Sequence, residues 1–132
     1  MLSGWQLLTP EEKALIRRGI QDGNVYGGPY HLTLFPTDRC NLDCFFCYTE
    51  ELREVAAELD WNVLHRALRE GVEMGVKAVS FGGGGEPMIY RQIQSLMEFI
   101  EEHGLLVDSM KSNGTAITPR LADTLMRCGL VR

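Results

Sequence analysis

The chain has 132 residues, 45% of them hydrophobic and 23% charged, which is the composition of one small folded domain and excludes a disordered or repetitive polymer. No apolar run reaches the ~18 residues of a membrane-spanning helix, and Met1–Leu8 lacks the basic start and apolar core of an export signal. With 13 basic and 18 acidic residues the net charge is −5, which argues against nucleic acid as a partner because phosphate binding calls for a basic face.

In chain order, Thr9-Pro10-Glu11-Glu12 reads as a helix start. Thr9 suits the N-cap, Pro10 the first helical position and Glu12 a capping box, so a helix is expected to run to Asp22 and stop at Gly23. Asn24–Pro29 is a turn-rich connection. His31–Pro36 is a short buried strand with Leu32 and Leu34 on one face and Phe35 on the other. After a cysteine-bearing loop, a helix from Asp60 carries Trp61, Leu64, Leu68 and Val72 on one face and ends at Gly75. Lys77–Phe81 is the second strand, followed by a glycine run. The next helix places Ile89, Ile93, Leu96, Met97 and Ile100 on one face and ends at Gly104. Leu105–Lys111 is the third strand. Thr118-Pro119 opens a last helix with Leu121, Leu125 and Cys128, closed by Gly129, and Leu130-Val131-Arg132 reads as the start of a fourth strand.

Strand and helix thus alternate three times, which predicts an α/β fold with a parallel sheet. Two parts are expected: residues 1–30 as an N-terminal helix and connection, and 31–132 as a partial (βα) barrel. Three strands and a stub leave a parallel sheet short of cover and neighbours. The expectation is a chain that is the N-terminal part of a larger barrel, or one completed by a partner chain.

Of the four cysteines, Cys40, Cys44 and Cys47 fall in one loop and Cys128 stands apart. Clustered cysteines without an export signal point to metal or redox chemistry and to the cytoplasm. Three thiolates on one short loop can converge on a soft metal centre, either zinc or an iron–sulfur cluster. A structural zinc site wants four ligands, usually as two pairs. Only His31 and Cys128 are left to complete one, and neither has motif spacing. In a cubane cluster, three irons take the three cysteines and the fourth stays open. Phe81-Gly82-Gly83-Gly84-Gly85-Glu86-Pro87 is the second signal. Glycine lets backbone approach a ligand closely. The run is neither a dinucleotide fingerprint nor a phosphate loop, since Pro87 replaces the final glycine and no Gly-Lys-Ser/Thr follows. Ser112-Asn113-Gly114-Thr115, after the third strand, is either an Asn-Gly turn or a third wall of the same site.

The C-x3-C-x-aromatic-C loop of Cys40, Cys44, Phe46 and Cys47 resembles the signature of the radical S-adenosylmethionine enzymes. Gly84, Gly85, Glu86 and Pro87 match the GGEP motif of that family, and Ser112-Asn113-Gly114 its TNG segment. The resemblance covers roughly Leu32–Arg132 and implies the first three βα units of a TIM-like barrel, cut at the start of its fourth strand. It implies a 4Fe-4S cluster on Cys40, Cys44 and Cys47, with Phe46 beside the adenine of S-adenosylmethionine. Gly84–Pro87 would receive the amino group of the cofactor methionine, and Ser112 and Asn113 would line the site. The implied reaction is reductive cleavage of the cofactor to a 5′-deoxyadenosyl radical that abstracts hydrogen from a substrate. That substrate, a small molecule or a peptide, is not specified, although the motif order is similar to the peptide-maturing and cofactor-biosynthesis branches. An electron donor such as flavodoxin or ferredoxin is implied, and the isolated chain is expected to be inactive. The competing readings are a non-catalytic zinc-binding module and an iron–sulfur carrier.

Other residues are expected to be structural: Phe45 as a core anchor of its loop, Cys128 as a small buried hydrophobe, and Met74, Met88, Met97, Met110 and Met126 as core filling. His65, His103 and the acidic stretch Glu50–Glu58 are expected to face solvent.

Overall fold

The computed structural model describes residues 4–130, with the side chains of residues 52–54 outside that description. Met1–Ser3 of the segment read for an export signal, and Val131 and Arg132 of the expected fourth strand, also lie outside it.

The helix starts follow the local chemistry. Helix α1 is Pro10–Asp22: Thr9 accepts from the Glu12 N–H at 3.2 Å, Glu12 accepts from the Thr9 N–H at 2.8 Å, and Gly23 ends the helix at φ 67°. After strand β1, His31–Leu34, come helices α2, Glu50–Val55, and α3, Trp61–Glu73. Asp60 caps α3 by accepting from the Asn62 and Val63 N–H groups. Strand β2 is Ala78–Phe81, helix α4 Ile93–Glu102, strand β3 Leu106–Met110 and helix α5 Pro119–Arg127, capped by Thr118.

The strands lie in the order β1-β2-β3, all parallel, with His31 opposite Ala78 and Ala78 opposite Leu106. Consecutive strands are therefore neighbours, as in a barrel, without the reversal of order found in a doubly wound sheet. Central β2 is buried at all four positions. Leu64 and Leu68 of α3, Leu96, Met97 and Ile100 of α4, and Leu121 and Leu125 of α5 join Val79, Phe81 and Val107 in one core with Cys128. The cysteine, glycine and Ser112-Asn113 loops all leave the sheet at its C-terminal end.

The structure corrects several expectations. Strand β1 is not buried throughout: Leu34 is buried, Thr33 is exposed and Phe35 is 53% exposed. Among the described residues β1 pairs on one side only, so one flank stays open. Ile89 does not join α4. Pro87–Ile89 forms a separate 3-10 turn, started by Glu86 accepting from the Met88 N–H. The acidic stretch contains α2. Its last glutamate, Glu58, is held by Arg39 at 3.4 Å and Arg91 at 3.2 Å instead of facing solvent freely. Met88 and Met97 are core residues as expected, whereas Met74 and Met126 are exposed. His65 is half-buried and packs edge-on to the Phe99 ring at 5.3 Å, whereas His103 is exposed as expected, its ring stacked on Phe99 at 3.9 Å. Helical spacing places each four residues from an aromatic neighbour, Trp61 for His65 and Phe99 for His103.

Candidate functional site

The chain leaving β1 is held by its neighbours before the cysteines begin. The Asp38 N–H donates to the Ala57 carbonyl at 2.8 Å and the Leu59 N–H to the Pro36 carbonyl at 3.0 Å, closing the cysteine loop at its base. The glycine loop lies against this base. The Gly85 N–H donates to the Thr37 carbonyl at 3.1 Å and the Glu86 N–H to the Arg39 carbonyl at 2.8 Å. A Cβ on Gly85 would run into the Arg39 carbonyl, so the approach requires glycine there, whereas one on Gly84 would displace the Asp38 carboxylate.

The far side of the cysteine loop also grips the glycine loop. Within it, the Cys47 N–H donates to the Cys44 carbonyl at 3.0 Å. Tyr48 Oη donates to the Gly83 carbonyl at 3.1 Å and Thr49 Oγ1 to the Gly84 carbonyl at 2.7 Å. The third loop is fastened through Glu86, which is only 2% exposed. Its Oε1 accepts from the Met88 N–H at 3.0 Å and Ser112 Oγ at 2.7 Å, and its Oε2 accepts from the Asn113 N–H at 2.6 Å. Two loops that leave neighbouring strands are thus locked by one carboxylate.

Cys40, Cys44, Phe46, Cys47, Tyr48, Thr49, Gly83–Glu86 and Lys111–Asn113 line a single cavity of about 350 Å³. The sequence-predicted cysteines, Phe46, Gly84, Gly85, Glu86, Ser112 and Asn113 come together there. Pro87 is buried behind them in the 3-10 turn. Phe46 is 74% exposed and remains available as a stacking face. Phe45 is 97% exposed, contrary to the expected core anchor, and meets the Phe46 ring edge-on at 5.0 Å. Sequence reasoning missed Asn41, Tyr48 and Thr49, and named Thr115 only as part of the third motif. Their proximity to the motifs is the only local signal they carry. A larger cavity of about 480 Å³ lies at the opposite end of the strands, but its charged lining is already paired, Arg127 with Glu101 and Lys77 with Glu12.

Three soft thiol donors on one loop, facing one cavity, fit a centre in which each cysteine takes a different metal atom. None of the four cysteines is in a disulfide. Among the described residues no three His, Cys, Asp or Glu groups gather around one point as a single ion requires. His31 cannot extend the set, because it lies at the opposite end of β1, 3.2 Å from Asp108. Cys128 is buried in the core, and burial, with Glu101 nearby, pushes its thiol above the ordinary range.

Comparisons with known proteins give the family and the fold. The sequence profile of the Radical SAM superfamily matches residues 34–132. A GTP 3′,8-cyclase of Marinobacter nauticus is 30% identical over 104 residues, which are 77% of this chain and 31% of that protein. A probable GTP 3′,8-cyclase of Halobacterium salinarum is 35% identical over 103 residues, 73% of this chain and 28% of that one. The chain therefore spans about three-tenths of the length of these relatives. Streptococcus suis SuiB, solved bound to precursor peptide SuiA, superposes with a TM-score of 0.62 at 25% identity, covering 90% of this chain and 27% of that one. The matched segment holds the three motif loops, strands β2 and β3 and the last residue of β1, and the chain belongs to the radical S-adenosylmethionine (radical SAM) superfamily.

Proposed function

We propose that this chain is the cluster- and cofactor-binding part of a radical SAM enzyme. The observation that carries this reading is the meeting of Cys40, Cys44 and Cys47 with the glycine loop and Ser112-Asn113 around one cavity. The chemistry supplied by a 4Fe-4S cluster at this loop is one-electron reductive cleavage of S-adenosylmethionine, giving methionine and a 5′-deoxyadenosyl radical for hydrogen abstraction.

The chain's own residues bind and position. Cys40, Cys44 and Cys47 would hold the cluster as thiolates, and three protein donors would leave it a place for a small-molecule ligand. The carbonyls of the glycine loop are acceptors for the ammonium of the cofactor methionine. Tyr48 and Thr49 fix two of those carbonyls, and Glu86 fixes the loop to Ser112 and Asn113. Phe46 offers its exposed ring to the adenine. An external donor of the flavodoxin or ferredoxin type supplies the electron. The substrate is a small molecule or a peptide, and its contacts come from regions of the longer relatives that this chain does not span. Among the described residues no helix is long and apolar enough to cross a membrane.

The test is low-temperature EPR of the anaerobically reconstituted, dithionite-reduced chain, with iron, sulfide and zinc quantified. A 4Fe-4S signal that shifts when S-adenosylmethionine is added is the expected result. A cluster signal blind to the cofactor would favour a carrier, and zinc without sulfide a non-catalytic module.

A further inference from the structure

We infer that the Asn113 side-chain amide is an N–H donor to the Cys40 sulfur and sets the reduction potential of the centre built on it. This deepens the proposed function and rests on it. Asn113 Nδ2 lies 3.9 Å from Cys40 Sγ, within reach of the large sulfur atom, and 2.9 Å from Asn41 Oδ1.

The orientation of the amide is fixed by its other partners. Asn113 Oδ1 accepts from the Thr115 N–H at 3.0 Å and from Thr115 Oγ1 at 2.7 Å, so the oxygen cannot trade places with the nitrogen without facing two donors. Having donated its hydrogen, Thr115 Oγ1 accepts from Asn41 Nδ2 at 2.7 Å, which leaves Asn41 Oδ1 free to receive one Asn113 hydrogen. The second Asn113 hydrogen is the one directed at Cys40. Glu86 Oε2 holds the Asn113 backbone N–H at 2.6 Å, so the residue is anchored at both ends.

A donor to a metal-bound sulfur favours the more reduced state, since the added electron increases negative charge on the sulfurs. Removing it makes the centre harder to reduce.

The experiment is a redox titration of the reconstituted full chain, followed by EPR without S-adenosylmethionine, with iron and sulfide counted in every sample. Asn113→Ala is expected to shift the reduction equilibrium about tenfold, a midpoint ~59 mV more negative for one electron. Thr115→Val, which keeps the amide but removes the hydroxyl that orients it, is expected to shift it the same way by less. Thr118→Ala removes the cap of α5, beyond the same loop, without touching a sulfur donor or the cavity, and is expected to leave the midpoint in place. Unchanged midpoints in both Asn113→Ala and Thr115→Val would overturn the inference, as would an equal shift in Thr118→Ala. If Asn113→Ala takes up no cluster, Thr115→Val decides by the same criterion. Failure of the unsubstituted chain to assemble iron and sulfide would instead bring down the proposed function itself, and this inference with it.

Discussion

Glu86 joins two loops because both of its oxygens meet donors in a place that water hardly reaches. Replacing it with glutamine puts an amide NH2 where one oxygen accepted. The Ser112 hydroxyl can turn away, but the Met88 and Asn113 backbone N–H groups cannot. Glu86→Gln is therefore expected to cost about 2 kcal/mol, the penalty of a buried donor left without an acceptor, read as a lower urea midpoint. The sequence marked Glu86 through its motif and suggested a ligand for an ammonium. It could not show that the same carboxylate clamps residues 26 and 27 positions away. The same limit hid Asn41, Tyr48 and Thr49, whose partners lie 35 to 74 residues off and leave no periodic trace. Phe45 was misread for a different reason: an aromatic beside a cysteine motif looks like a core anchor, but which ring turns inward depends on loop geometry.

Helices were readable where their ends carry local chemistry. Thr9 with Glu12, Asp60, and Thr118 with Pro119 each cap the helix that the sequence assigns to them. Helix α2 was missed because it has no apolar stripe, though Glu50 and Glu51 in its first turn are a start signal. Ile89 fits the period of α4, but Pro87 and the Glu86 cap close a separate turn first. Helix α1 has no buried residue, and Lys77, just ahead of β2, pairs with Glu12 at 2.6 Å. The Lys77 hydrogen bond, then the Thr9 backbone N–H, hold the Glu12 carboxyl below its ordinary 4.5. A carboxylate with a lowered folded-state pKa stabilises above the unfolded value and loses that contribution as pH falls through the folded one. Glu12→Gln should therefore melt below the parent above about pH 4.5, with the two curves converging on acidification. Thermal melts from pH 7 to pH ~3 measure this, and a gap that persists in acid would remove the ion pair as its cause. The glycine loop gives a sharper contrast. An added Cβ at Gly85 meets the Arg39 carbonyl, whereas at Gly83 it would come no closer than 3.7 Å, to the Gly85 carbonyl oxygen. Gly85→Ala is expected to cost roughly 1–3 kcal/mol and impair cluster uptake, and Gly83→Ala to change either little. Parallel denaturation and iron counts on the two variants decide it.

At the scale of the whole molecule, parallel pairing and strand order follow from the alternation of elements, and they carry the three sequence motifs to one end of the sheet. That placement was legible because each motif follows a strand, and in parallel units the following loops share an end. The enclosure of the site was not legible, because it depends on which groups stand around the loops. Phe46 is 74% exposed beside the cavity, and β1 and β3 each pair with only one strand among the described residues. Productive radical chemistry needs a site from which water and stray hydrogen donors are kept out. On the proposed function the three loops bind the cofactor, and Phe46, 74% exposed, leaves that binding site open to water. Binding and turnover should therefore separate. The reconstituted chain, reduced in the presence of S-adenosylmethionine, is expected to show the EPR shift yet to release fewer than about one 5′-deoxyadenosine per chain, quantified by chromatography. Sustained release over many equivalents would mean that these three strand–helix units already enclose the reaction, and that the longer relatives use their remaining length for substrate choice.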